Sequence, residues 1–77
     1  MKELVEVIAK ALVDSPEEVF VVQNEEDDGL IVLELHVAKA DMGKVIGKKG
    51  RIAKSIRTVV KTAATKQGVK AVVDIVE

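Results

Sequence analysis

Seventy-seven residues, 48% of them hydrophobic, suffice for one thin core and are too apolar for a disordered chain. No cysteine is present, which excludes disulfides and thiolate metal sites and fits a reducing compartment such as the cytoplasm. The net charge of −1 hides a division at Asp41: residues 1–40 hold three Lys against ten Asp or Glu, a net −7, whereas residues 41–77 hold nine Lys or Arg against three acids, a net +6.

Leu4, Val5, Ile8, Ala11 and Leu12 recur at helical spacing and predict a helix over about residues 2–13, which Asp14-Ser15-Pro16 ends because proline disfavours a helical residue before it. Its first residues lack the basic start and continuous apolar run of a signal peptide. No segment approaches the roughly 18 apolar residues of a membrane span, so no membrane association is expected. Val19, Phe20, Val21 and Val22 are β-branched or aromatic and predict a strand, and the acidic run ending in Asp28-Gly29 supplies a hairpin turn. The second strand covers residues 30–37, with Ile31, Leu33, Leu35 and Val37 on one face and Glu34 and His36 on the other.

Asp41 is a good N-cap for a short helix running through Met42 and Val45, which Gly47 would stop in a left-handed conformation. From Arg51 onward Ile52, Ile56, Val59, Val60 and Ala63 gather on one arc of a helix, and Arg51, Lys54, Arg57 and Lys61 on the other. Gly68 stands where a helix C-terminal glycine belongs. Val69, Ala71, Val73 and Ile75 then alternate with Lys70, Val72, Asp74 and Val76 as a last strand.

Residues 45–50 read Val-Ile-Gly-Lys-Lys-Gly, with Arg51 directly after. Two glycines separated by two lysines let the backbone turn tightly and approach a ligand closely, with positive charge at that spot. The bland alternative is that Gly47 and Gly50 cap two helices joined by a basic surface turn. The turn nevertheless resembles the signature loop of the KH (K-homology) RNA-binding domain, and the order α-β-β-α-α-β is similar to its bacterial, type II form. Only 27 residues follow Gly50, too few for the type I order. More narrowly, Met1-Lys2-Glu3-Leu4-Val5, the Ala-Leu-Val-Asp-x-Pro-Glu stretch at residues 11–17, and residues 41–54 around the loop resemble the KhpA family of stand-alone bacterial KH proteins.

The resemblance implies an α+β fold with a three-stranded sheet and helices packed on one face, residues 1–77 forming a single KH domain. It also implies a site: residues 47–50 against the sugar-phosphate backbone of single-stranded RNA, Lys48 and Lys49 on phosphates, Lys44 and Arg51 flanking, and Lys54 and Arg57 extending the track. Bases would turn toward an apolar floor of Val45, Ile46, Ile52 and the second strand. Phe20 is the only aromatic residue, so stacking platforms worth about 1–3 kcal/mol per base are scarce, and weak, loosely selective binding is expected. The resemblance further implies an RNA-chaperone or post-transcriptional role, links to cell-wall biogenesis and cell shape, and pairing as a homodimer or with a Jag-type, KhpB-like KH protein. Neither cofactor nor metal nor small-molecule substrate is expected. The competing reading is a protein-interaction or dimerisation adaptor using the basic helix. An enzyme lacks parts: one His, no Cys, and Ser15 and Ser55 without a nearby base. A P-loop is excluded by the missing glycine ahead of a Gly-Lys-Ser/Thr.

Overall fold

Leu33 and Leu35 alternate with Glu34 and His36 along the central strand, and burying the first pair fixes which face of the sheet the helices cover. The computed structural model describes residues 1–76. Its order is α1 (Lys2–Leu12), β1 (Phe20–Glu25), β2 (Ile31–His36), α2 (Met42–Ile46), α3 (Arg51–Lys66) and β3 (Ala71–Val76), the expected α-β-β-α-α-β, with short 3-10 turns at Pro16–Glu18, Lys39–Asp41 and Lys48–Gly50. The sheet runs β1-β2-β3, with β1 antiparallel and β3 parallel to β2. Both edges of β2 are therefore paired, and β3 is an edge strand.

Val5 and Ala9 of α1, Val21, Leu33, Leu35 and Val73 of the sheet, Val45 of α2, and Ile56 and Val60 of α3 make the core. Each fully buried Leu or Val contributes about 1.5–3 kcal/mol. The first strand starts and ends later than expected, because Val19 closes the Pro16–Glu18 turn and the acidic Glu25 still pairs with Ile31. The hairpin is closed by Glu26 N–H to the Leu30 carbonyl at 2.8 Å and Gly29 N–H to the Glu26 carbonyl at 2.9 Å, with Gly29 at φ 86°.

The buried arc of α3 is Ala53, Ile56, Val60 and Ala64, rotated from the expected one. Two alanines let the helix lie close to the sheet, and this turns Val59 partly out, 42% exposed. Gly68 at φ 72° ends α3 as expected: its N–H bonds to the Thr65 carbonyl and that of Val69 to the Ala64 carbonyl, the paired bonds of a Schellman motif. Phe20 lies on the opposite, helix-free face of the sheet, stacked on His36 with centroids 4.2 Å apart. On the same face Val72 is exposed and Val32 and Val76 are half-buried.

The acidic turn lies against the other end of α3, where Glu25, Asp28 and Gly29 share a cleft with Thr65, Gly68 and Lys70. A sixteen-residue helix is about 24 Å long. The charge division seen along the chain thus becomes a division in space, basic at the start of α3 and acidic at its end.

Candidate functional site

The lysine motif closes the gap between α2 and α3. Gly47 ends α2 with its N–H on the Gly43 carbonyl at 2.9 Å and takes φ 76°, ψ 174°. This positive-φ, extended-ψ conformation differs from the expected left-handed cap and belongs essentially to glycine alone. Space reinforces the choice, since a Cβ at Gly47 would sit 2.6 Å from Ile52 Cγ1. Gly50 N–H then returns to the Gly47 carbonyl at 3.2 Å, with Lys49 at φ 57°, ψ 24° and Gly50 at φ 73°, ψ 16°. Two successive left-handed residues fold the turn outward and leave Lys48 and Lys49 exposed. The expected left-handed residue is Gly47; the structure puts Lys49 and Gly50 in that region instead.

A Cβ at Gly50 would meet nothing within 4 Å, so the backbone there is open to approach. Gly50 also offers no side chain to cap α3. The first-turn N–H groups therefore lack a side-chain partner and carry the positive end of the helix dipole.

Asp41 holds this loop to the rest of the fold in a way the sequence does not announce. It occupies the N-cap position of α2, but its carboxylate makes no capping bond there. Buried to 2% exposure, it instead accepts the N–H groups of Asp14 at 3.3 Å and Ser15 at 3.0 Å, tying the end of α1 to the start of α2. The physical reason is that α1 ends without a continuing backbone partner for those donors, and a buried carboxylate is a strong acceptor. Lys44 completes the cluster, its Nζ 3.2 Å from Asp14 and 3.8 Å from Asp41. Asp41→Ala is expected to cost about 1–3 kcal/mol, because it strands two N–H donors and removes a partner of Lys44. A urea midpoint unchanged by this substitution would mean the strut is unimportant.

Counting about 100° per residue from Arg51, the buried residues of α3 fall at roughly 140–220°, Gly50, Lys54, Arg57 and Lys61 at roughly 240–300°, and Ile52, Val59 and Ala63 at roughly 80–120°. The first flank faces β3, since Arg57 Nε donates to the Val73 carbonyl at 3.3 Å. The opposite flank faces α1, where Ile52, Ser55, Ile56 and Val59 line a shallow groove of about 190 Å³ with Ile8, Leu12 and Arg51.

A solved structure of Aquifex aeolicus Era bound to GDP·AlF4− shares this fold with a TM-score of 0.63 at 21% identity, matching 96% of the chain and 28% of Era, so the chain spans little more than a quarter of that protein. The KhpA/KhpB KH-domain family matches residues 2–75. The chain belongs to this family. Among its relatives, the RNA-binding protein KhpA of Clostridium perfringens is 64% identical over 78 residues, that of Clostridium acetobutylicum 58% over 76, and that of Listeria monocytogenes 49% over 77. Each match covers at least 99% of the chain and all of the relative.

Within this KH domain the expected site residues divide. Gly47, Lys48, Lys49 and Gly50 form the loop, and Lys54 and Arg57 continue it along the β3 flank. Arg51 and Ile52 lie toward the α1 groove, with Ile52 packed under Gly47. Lys44 already has carboxylate partners. Two expectations about the apolar floor need correction. Val45 is fully buried and supports the loop from beneath, while Ile46 is 36% exposed and open to a ligand. The second strand is central, so edge groups come from β3. Gly43 costs helix stability, yet among the described residues nothing beyond its own helix backbone and chain neighbours lies within 4 Å of where its Cβ would be.

Proposed function

We propose that the chain is a non-enzymatic module that grips single-stranded RNA through residues 47–50 and lays it along the Lys54 and Arg57 flank of α3. The observation that carries this reading is the open Gly50 backbone beside two exposed lysines at the uncapped start of α3. Relatives named RNA-binding protein KhpA support it. The acidic turn at the far end of α3 orients the basic end toward a polyanion. A cytoplasmic role as RNA chaperone or post-transcriptional regulator, with effects on cell-wall biogenesis and cell shape, is the finer form of the proposal. No described helix is long and apolar enough to cross a membrane.

Titration with short single-stranded RNAs at several salt concentrations tests it. About four phosphate contacts give a log-log salt slope near −3, at roughly −0.7 per contact. Binding that is absent, or indifferent to salt, would sink the reading.

Pairing of two KH modules is a second reading, favoured by the groove between α1 and α3. Leu12 and Val59 remain partly exposed there. Two linked weak sites raise overall avidity without new contacts to RNA. A second copy of this chain is the occupant we assign, ahead of a Jag-type KH protein. Val59→Glu is expected to convert a dimer to single chains in light scattering; a monomeric wild type would dismiss self-pairing.

A further inference from the structure

The free edge of β3 is where an unpaired base beside α3 would find hydrogen-bonding groups, and a bare strand edge offers both N–H donors and carbonyl acceptors. Here one of those acceptors is taken. Arg57 Nε donates to the Val73 carbonyl at 3.3 Å, so the guanidinium is pinned over the edge. An arginine held by Nε keeps both Nη groups free, a planar pair of donors in fixed relation to the strand. The contact replaces one acceptor of the edge with a planar pair of donors. Arg57 lies six residues after Arg51, about 9 Å along the helix axis from the loop that would hold the phosphates, and on the same flank as Gly50. Phe20, the one aromatic ring, is on the far face of the sheet, so stacking on it cannot choose the base. Lys54 and Lys61 are point charges without a fork.

We infer that Arg57 is the base-reading residue of this site, selecting a base that shows two adjacent acceptors, guanine through O6 and N7 or cytosine through O2 and N3, over adenine and uracil. The inference rests on the RNA-binding reading above and adds to it a preference that phosphate contacts cannot supply. Adenine sets its amino donor beside N1 and N7 and leaves N3 isolated, and uracil sets a donor between its two carbonyls. Neither offers the guanidinium two neighbouring acceptors.

The experiment uses the full chain and hexaribonucleotides of uridine in which one residue is changed to cytidine, guanosine or adenosine. Wild type is expected to bind the cytidine- or guanosine-containing strand about fivefold or more tighter than the all-uridine and adenosine-containing strands. Arg57→Lys keeps the charge and loses the fork. It should abolish that ranking, bringing the cytidine- and guanosine-containing strands down to the affinity the same variant has for the all-uridine strand. The inference is overturned if wild type shows no ranking, or if Arg57→Lys preserves it. It is also overturned if the variant weakens all four strands by the same factor, the behaviour of a contact that does not read the base. Variants of Lys48 and Lys49 run in parallel separate the two levels. Retained binding there defeats the loop reading itself; lost binding there, with the ranking intact in Arg57→Lys, defeats only the role of Arg57.

Discussion

Replacing both Lys48 and Lys49 by Asp is expected to lower affinity for single-stranded RNA by on the order of 100-fold or more at moderate salt, with the fold intact. Two phosphate partners are lost and two negative charges face the strand instead. Nothing in the fold compensates, because among the described residues neither lysine takes part in an ion pair and both are exposed. The fold should survive because neither side chain packs into the core, and because Asp is among the residues that tolerate the left-handed conformation held by Lys49. Circular dichroism and a thermal midpoint within a few degrees of wild type verify the second half. The first half is measured by the same titration used for wild type, and Lys49→Gly serves as a control that removes one charge while relieving backbone strain. Normal RNA binding by the double variant would show that the phosphate track lies elsewhere on the molecule.

The elements were legible in the sequence where a single periodicity dominated. Leu33, Leu35 and Val37 alternate without interruption and are buried as a set, and the α1 pattern ends at Leu12, one residue short of the expectation. The arc of α3 was harder to place. Hydrophobicity alone ranks Ile52 and Val59 above Ala53 and Ala64, but close packing on a sheet rewards small side chains, so the alanines are buried and Val59 is turned out. In the site, the two glycines advertised a tight turn, and the turn is there. Contacts between distant positions carried no such signal. Asp41 reads as a helix cap until Asp14, 27 residues earlier, is brought beside it, and Arg57 reads as one more solvated charge until β3 passes under it. Lys49 hides for a different reason: a lysine ordinarily avoids positive φ, and only closure between two glycines forces it there.

Gly47→Ala should be the most damaging single-methyl change in the chain, costing about 2–6 kcal/mol. One part is conformational, since φ 76°, ψ 174° is costly for any residue with a Cβ, by about 1–3 kcal/mol. The other part is steric. The added carbon would lie 2.6 Å from Cγ1, 2.9 Å from Cδ1 and 3.0 Å from Cβ of Ile52. The last of these cannot swing away by rotating the side chain, so α3 must shift, which adds about 1–3 kcal/mol of overpacking. For a domain of this size, at roughly 4–8 °C per kcal/mol, the sum lowers the thermal midpoint by at least about 8 °C. Gly50→Ala makes the decisive contrast. Its φ 73°, ψ 16° is the ordinary left-handed region, and a Cβ there meets open space, so only about 1 kcal/mol is lost. That same open space is where the phosphate backbone is proposed to lie, so Gly50→Ala should weaken RNA binding far more than stability. Thermal melts and RNA titrations on the two variants therefore separate the roles of the two glycines. Equal losses in both measurements for both variants would mean that the pair serves the fold alone.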